Sequence, residues 1–234
     1  MSRIFLTGAA RGLGRAITLN LLAGGHQVFA TDIAPITEQH DGLVAARCDV
    51  TSESSVRDAV ATAVRELGGL DGVVNSAGLI EVTRQPAQEV SPEEFDKVMA
   101  VNAKGTWLVC RATIPILAAS GGGSIVTIAS ETAFSGSRNF AHYVASKSAV
   151  IGLTRAFAKE AGPLGVRVNA IAPGYTDTEG GRTIGDPATY DTSATPLGRV
   201  AMPTDMTGAC AFLLSDDSAF ISGQILMING GRVT

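Results

Sequence analysis

The chain has 234 residues, of which 45% are hydrophobic and 17% charged, and its formal net charge is −4. A chain of this length forms a sizeable core without disulfide or metal cross-links. Its three cysteines are widely spaced, at Cys48, Cys110 and Cys210, so neither a disulfide framework nor a metal site is expected. Because no block rich in Lys and Arg occurs, nothing favours nucleic acid or an anionic membrane as a partner.

The N-terminus carries no long apolar segment, and no stretch approaches the roughly 20 apolar residues that span a bilayer. We therefore expect a cytoplasmic protein. Glycine is frequent, at 27 residues, and forms no repeat. This favours an α/β fold with tight backbone passages over a low-complexity chain.

Short apolar strands alternate with helices along the chain. Strands are predicted at Ile4–Thr7, Gln27–Asp32, Leu43–Cys48, Gly72–Asn75, Ser124–Ala129, Val166–Ile171 and Gln224–Ile228. Helices are predicted at Leu13–Ala23, Ser54–Leu67, Pro92 to about Ala119 (with Pro115 bending or shortening its end), Ala141–Ala161 and Thr204–Leu214. This alternation predicts one α/β domain over residues 1–234, a doubly wound Rossmann fold with helices on both faces of a parallel sheet. The irregular segment Asp177–Leu197 is predicted to be a lid over the substrate.

A glycine-rich turn, Thr7-Gly8-Ala9-Ala10-Arg11-Gly12-Leu13-Gly14, follows the first predicted strand. Its glycines are spaced G-x-x-x-G-x-G, and it leads directly into a predicted helix. Glycines in such a place let the backbone approach a pyrophosphate, whose charge then lies at the helix N-terminus. The turn therefore indicates a dinucleotide cofactor.

Asp32, at the end of the second predicted strand, bears on the choice between NAD and NADP. Its carboxylate is placed to accept hydrogen bonds from the adenosine ribose and to repel a 2′-phosphate. Arg11 argues the other way, because a guanidinium near this turn binds phosphate. Because the Asp32 carboxylate is fixed at a strand end whereas Arg11 is a mobile surface side chain, we expect NAD to be the cofactor. NADP is the less expected cofactor. Asp49 and Val50 are placed to cap the adenine, although Asp49 also suits an ordinary turn before a helix.

Tyr143 and Lys147 are four residues apart in a predicted helix and therefore share one face. We expect the Lys147 ammonium to lower the pKa of the Tyr143 phenol, so that the phenol exchanges a proton with an alcohol or a carbonyl. Ser130 follows a strand at the edge where such sheets bind ligands, and its hydroxyl is placed to donate to a substrate oxygen. Asn102 is predicted to have a buried polar role, holding a water that links Lys147 to solvent, the alternative being an exposed helix position.

Together these residues resemble the short-chain dehydrogenase/reductase family, in its compact single-domain branch. The resemblance rests on Thr7–Gly14, Asp49-Val50, Asn75–Gly78, Asn102, Ser130, Tyr143–Lys147, Asn169 and Pro173-Gly174 followed by Thr178. It implies a seven-stranded sheet, NAD(P), a homo-oligomer (tetramer or dimer) and a catalytic tetrad of Asn102, Ser130, Tyr143 and Lys147. It also implies that Lys147 binds the nicotinamide ribose and Thr178 the carboxamide. Two departures are Ser76, where the family usually has Asn, and the short segment Ile33–Gly42.

The residues expected to bind the cofactor come from several predicted strand ends. They are Gly8, Arg11, Gly12, Leu13, Gly14, Asp32, Asp49, Val50, Asn75, Ala77, Gly78, Tyr143, Lys147, Pro173, Gly174, Thr176 and Thr178.

The substrate is the feature that the sequence determines least. Glu131 directly follows Ser130, and its carboxylate either binds a second hydroxyl or a cation, or faces solvent. Further candidates to line the pocket are Phe134, Phe140, His142 and Tyr175. We expect an NAD-dependent oxidoreductase for a small secondary alcohol, polyol or sugar, or the corresponding ketone. The alternatives are an NADPH-dependent 3-oxoacyl-[acyl-carrier-protein] reductase, which Asp32 disfavours, a sugar epimerase or dehydratase, and a non-catalytic NAD-binding regulatory module.

Overall fold

The computed structural model describes residues 1–233, and Thr234, the last residue of the predicted domain, lies outside the described residues. The strands are β1 (Arg3–Thr7), β2 (Gln27–Asp32), β3 (Leu43–Arg47), β4 (Gly72–Asn75), β5 (Gly123–Ile128), β6 (Val166–Pro173) and β7 (Ile225–Ile228). The α-helices are α1 (Gly12–Ala23), α2 (Glu53–Leu67), α3 (Pro92–Met99), α4 (Gly105–Ala119), α5 (Thr132–Ser135), α6 (Ala141–Ala161) and α7 (Thr204–Leu214).

The strands pair in parallel throughout and form one sheet in the order β3-β2-β1-β4-β5-β6-β7. The order runs outward in both directions from β1 and β4, so the topology switches between these two strands. In such sheets, ligands bind beyond the carboxyl ends of the strands at the switch point. The predicted doubly wound Rossmann sheet of seven parallel strands is confirmed.

Helices cover both faces of the sheet, as the alternation of elements predicts. On one face α2, α4 and α6 pack against the strands through buried residues such as Val60, Leu108 and Phe157. On the other face α1 and α7 do so through residues such as Ile17 and Met206. The central strands are apolar on both sides because both of their faces are covered.

The long helix predicted from Pro92 to Ala119 is present, but it is not a uniform α-helix. Between α3 and α4 the segment Ala100–Lys104 is π-helical. Pro115 lies inside α4, which continues to Ala119, so this proline does not shorten the helix. A π-helical turn inserts an extra residue into the helical path and often marks a functional site, and this one carries Asn102.

The other differences are the short helix α5, which the sequence did not predict, and small shifts at the ends of elements. No helix forms between β2 and β3, in agreement with the short segment that the sequence shows there. β6 passes its predicted end at Ile171 and reaches Pro173, which brings the following residues to the carboxyl edge of the sheet. Among the described helices, none combines the length and apolarity that crossing a bilayer requires.

Candidate active site

A cavity of ≈ 570 Å³ runs along the carboxyl edge of the sheet, across the switch between β1 and β4. It extends from Asp32 and Val50, beside β2 and β3, to Ser130 and Tyr143, beyond β5. Most residues expected to bind the cofactor line it: Gly8, Arg11, Gly12, Leu13, Gly14, Asp32, Asp49, Val50, Ala77, Gly78, Tyr143, Lys147, Pro173, Gly174, Thr176 and Thr178. The exception is Asn75.

The glycine-rich turn packs too closely for side chains at two of its glycines. Gly8 has a φ of +73°, in the left-handed region, and a Cβ on Gly14 would collide with the Gly8 carbonyl oxygen. Gly12 differs, because the nearest atom to a Cβ there would be 3.6 Å away, on Thr178. The bare backbone at Gly12 therefore keeps open the space before α1, where the helix N-terminus suits a pyrophosphate.

Asp32 is held in place by the backbone around it. Its Oδ2 accepts a hydrogen bond from the Ala10 N–H at 3.0 Å, and its Oδ1 accepts one from the Ala34 N–H at 3.0 Å. A carboxylate offers about four lone-pair sites, so Asp32 keeps the capacity to accept from ribose hydroxyls. Arg11 forms an ion pair with Glu81 at 2.6 Å, so the cation that argues for a 2′-phosphate is engaged by another carboxylate.

Asp49 and Asn75 support the walls of the site. Oδ1 of Asp49 accepts from Oγ1 and from the N–H of Thr51, at 2.7 and 2.9 Å, and these bonds hold the pKa of Asp49 below its usual value. Asn75 is buried, and its Nδ2 donates to the Thr106 carbonyl at 3.0 Å. The structure does not bring Asn75 to the cavity, because its amide ties β4 to α4.

Ser130 and Tyr143 meet in the cavity wall. Ser130 Oγ accepts hydrogen bonds from Oγ1 of Thr132 at 3.0 Å and from the Thr132 N–H at 3.3 Å. Because Thr132 occupies acceptor sites of the serine, the Ser130 O–H is directed to another acceptor, namely the Tyr143 oxygen or a substrate oxygen. Tyr143 also stacks on Phe140, with ring centroids 4.5 Å apart.

The phenol of Tyr143 is less acidic in the structure than the sequence predicts. Tyr143 is 7% exposed, and burial raises its pKa above the usual value, outweighing the opposite effect of the hydrogen bond with Ser130. The Nζ of Lys147 lies 5.7 Å from the Tyr143 ring centre, and the prediction that this ammonium makes the phenol acidic is wrong for the protein without ligands. In this state Tyr143 is protonated at neutral pH, which suits it to donate a proton.

Lys147 is buried beside Tyr143 and bound to the end of β5. Its Nζ donates to the Ile128 carbonyl at 2.8 Å, and desolvation lowers its pKa to about 8. An ammonium has three N–H donors, so two remain for other acceptors. A Cβ on Gly78 would lie 3.4 Å from this Nζ, so the glycine leaves room beside the ammonium for a hydroxyl-bearing group.

Asn102 is buried in the π-helical segment, which excludes the exposed position considered from the sequence. Its Oδ1 accepts from the Leu79 N–H at 2.6 Å, and its Nδ2 donates to the Leu79 carbonyl at 3.0 Å and to Ser146 Oγ at 2.9 Å. Both amide protons are therefore used, and the side chain does not line the cavity. The geometry gives Asn102 a positioning role, holding the chain after β4 against α6.

The candidate substrate residues divide into two groups. Glu131, Phe140 and Tyr175 line the cavity. Phe134 is 44% exposed and His142 is fully buried, and neither borders the cavity. The substrate end is therefore formed by the first group and not by the second.

Two segments complete the lining with residues that were not named from the sequence, although the second segment is the predicted lid. The chain after β4 contributes Ile80, Glu81 and Arg84, and the predicted lid contributes Ile184 and Tyr190. The Arg84 guanidinium lies 4.8 Å from the centre of the Phe140 ring, and Tyr190 stacks on Tyr175 with centroids 4.1 Å apart. Local sequence patterns do not reveal contacts between separate parts of the chain. Tyr190 alone carried a usable signal, because it is an aromatic residue within the segment predicted to cover the substrate.

The chain has a Rossmann sheet with an elongated ligand cavity at its switch point, and a buried Ser, Tyr and Lys face that cavity. These features together define a dinucleotide-dependent oxidoreductase. A family profile described as "Enoyl-(Acyl carrier protein) reductase" matches residues 8–232. The chain belongs to the short-chain dehydrogenase/reductase family, and it is an oxidoreductase that binds a nicotinamide cofactor.

Relatives of known name support this placement. The D-threitol dehydrogenase of Mycolicibacterium smegmatis is 36% identical, over 97% of this chain and 90% of its own. The 3-oxoacyl-[acyl-carrier-protein] reductase of Thermotoga maritima is 34% identical, over 97% and 96% respectively. The solved structure of a 3-ketoacyl-(acyl-carrier-protein) reductase from Brucella melitensis complexed with NADH matches with a TM-score of 0.93 at 32% identity, covering 98% of this chain and 97% of that one.

The lowered pKa of Lys147 predicts a dependence of stability on pH. Because the folded pKa of about 8 lies below the ordinary value of 10.5, the native state loses this proton first as pH rises, and the free energy of unfolding increases between these values. We expect the wild type to gain about 2–3 kcal/mol relative to Lys147→Met between pH 7.5 and 10. Urea denaturation measures this, with Lys159→Met, an exposed position on the same helix, as the control. Parallel curves for the wild type and Lys147→Met would contradict the buried ammonium.

Proposed function

We propose that the protein is an NAD-dependent dehydrogenase that oxidises a small secondary alcohol, polyol or sugar, or reduces the corresponding ketone. The observation that carries the proposal is the cavity that Ser130, Tyr143 and Lys147 share with the glycine-rich turn and Asp32. The similarity to a D-threitol dehydrogenase, which covers nearly the whole chain, supports a polyol as the substrate class.

The cavity residues fit a nicotinamide dinucleotide along its length. The open space at Gly12 would take the pyrophosphate, the Asp32 carboxylate the adenosine ribose, and the two remaining Lys147 donors the nicotinamide ribose. Thr178 lies beside Gly12 in the same wall, and we assign it to the cofactor as well. When bound, the nicotinamide supplies the acceptor or the donor of the hydride.

The protein's own residues handle the proton. In ketone reduction, the Tyr143 O–H donates its proton to the carbonyl oxygen while Ser130 donates a hydrogen bond to the same oxygen as negative charge develops. In alcohol oxidation, ionised Tyr143 takes the hydroxyl proton. Because burial raises the pKa of Tyr143, neutral pH favours the donor role and alkaline pH the acceptor role.

Removing the phenol oxygen tests this assignment. We expect Tyr143→Phe to lower kcat by about 10²- to 10⁴-fold, because the proton donor is lost, and to leave NADH binding within about threefold. Turnover is read at the NADH absorbance, and NADH binding by fluorescence titration. Tyr190→Phe makes the same chemical change at a cavity tyrosine with no assigned part in proton transfer, and we expect its kcat to fall far less than that of Tyr143→Phe. Full activity of Tyr143→Phe would rule out Tyr143 as the proton donor and leave room for a non-catalytic module or another acid.

Asp32 is proposed to set the preference for NAD. It is pinned by two backbone N–H groups while Arg11 is paired with Glu81, an arrangement that disfavours a 2′-phosphate. We expect NADH to bind more tightly than NADPH, and Asp32→Ala to weaken NADH binding by about 10-fold or more, since hydrogen bonds to a charged group are lost. Asp41→Ala, at an exposed position after β2, is the control. Tighter binding of NADPH by the wild type would overturn the role of Asp32.

An NADPH-dependent 3-oxoacyl-[acyl-carrier-protein] reductase is the second candidate. The similarity to the enzyme of that name from Thermotoga maritima favours it, and the position of Asp32 disfavours it. Activity on acyl thioesters alone, in a panel that also contains alcohols and polyols, would select this candidate. Homo-oligomerisation and a cytoplasmic location stay predictions from the sequence.

We also propose that residues 177–197 act as a lid. Apart from the short 3₁₀ turn Gly181–Thr183, this segment is irregular, and Tyr190 and Ile184 bring it over the cavity. Since few backbone hydrogen bonds hold such a segment, we expect its amide hydrogen exchange to slow when NADH is added, with exchange in α2 unchanged. Equal exchange with and without NADH would argue against closure.

A further inference from the structure

Glu131 is a buried carboxylate in the wall of the substrate end of the cavity. It directly follows Ser130, is 6% exposed and lines the same cavity. Its backbone N–H donates to the Pro173 carbonyl at 3.0 Å, which fixes the residue between the ends of β5 and β6. Glu131 is thus the chain neighbour of the serine that faces the substrate oxygen, and both residues border the same cavity.

The carboxyl group of Glu131 is not fully satisfied by the protein. Within residues 1–233, its Oε2 has no hydrogen-bond partner. Burial raises the pKa of Glu131, while Asn229, the Arg232 charge and the Tyr175 backbone oppose that rise. Arg232 does not complete the site, because its guanidinium donates to the Asp191 carbonyl at 3.0 Å and to Thr195 Oγ1 at 3.2 Å.

A comparison within the chain shows why this carboxylate stands out. Glu38 also has a buried oxygen without a hydrogen-bond partner, but its other oxygen forms an ion pair with Arg15 at the protein surface. Glu131 has no such ion pair among the described side chains, and it lies beside the reacting groups instead. A buried polar atom without a partner costs free energy, and a ligand that supplies the partner recovers that cost on binding.

We propose that Glu131 is a specificity-determining residue that binds a second hydroxyl of the substrate, so that the enzyme selects diols and polyols over monoalcohols. This inference rests on the proposed function and narrows its substrate class. A hydroxyl both donates and accepts, so it pairs fully with a carboxyl group in either protonation state, whereas an ammonium group offers no acceptor to the proton of a neutral carboxyl group. Gly174 packs closely against this group, since a Cβ on it would lie 3.3 Å from Oε2 of Glu131 and 2.9 Å from the Asn229 Cβ.

The test uses matched substrates that differ by one hydroxyl, butane-2,3-diol and butan-2-ol, with NAD and the full-length enzyme. We expect the wild type to have a higher kcat/KM for the diol. Glu131→Ala should lower kcat/KM for the diol by about 10-fold or more, mainly through KM, and change that for butan-2-ol by less than about threefold. Glu131→Gln, which keeps the shape and an acceptor oxygen, should retain part of the preference. Glu89→Ala, at an exposed glutamate, and NADH titration of every variant are the controls.

Each outcome separates this inference from the proposed function. Equal kcat/KM of the wild type for both alcohols, or equal loss of both in Glu131→Ala with NADH binding intact, would overturn the role of Glu131 and leave the alcohol dehydrogenase in place. Oxidation of neither alcohol nor of any polyol in the panel would overturn the proposed function, and this inference with it. If Glu131→Ala does not fold, Glu131→Leu decides, because leucine fills similar space without a hydrogen-bonding group; the full wild-type preference for the diol in that variant would overturn the role of Glu131.

Discussion

The site depends on one contact, the hydrogen bond from the buried Lys147 ammonium to the carbonyl of Ile128 at the end of β5. This bond joins α6, whose buried residues such as Val150 and Phe157 pack in the core, to the end of the strand that precedes Ser130. A buried cation is costly unless it is hydrogen-bonded, and here the desolvation appears as a pKa lowered to about 8. The fold therefore positions the Lys147 ammonium through one hydrogen bond and leaves its other two N–H donors for a ligand.

Burial has the opposite effect on the neighbouring phenol. The same apolar surroundings that weaken the Lys147 charge raise the pKa of Tyr143, so the two groups do not form a ready base in the protein without ligands. The acid form of Tyr143 is the resting form, and Ser130, oriented by Thr132, faces it. Tyr143 can donate a proton as it stands. To accept a proton it must first ionise, which requires a higher pH or the positive charge of a bound cofactor.

The sequence predicted the framework of this site better than its electrostatics. The strands are short apolar runs that end at glycine or polar residues, so their positions and the carboxyl edge that bears Ser130 followed from local patterns. The spacing of Tyr143 and Lys147 placed both on one helix face, but the sign of the shift at Tyr143 depends on burial by distant segments, which spacing does not reveal. Likewise, nothing near Asn102 shows that Leu79 and Ser146 occupy its amide, and nothing near Arg11 shows that Glu81 pairs with it.

The most direct test of this account is the ionisation of Tyr143 in the protein without ligands. Ultraviolet difference titration of tyrosinate, taken as the wild type minus Tyr143→Phe, isolates this phenol from Tyr175 and Tyr190. We expect the difference signal to stay flat through neutral pH and to rise only above pH 10, because burial disfavours the phenolate. A tyrosinate signal that develops below pH 8 would contradict it and would restore the acidic phenol that the Tyr143 and Lys147 spacing first indicated.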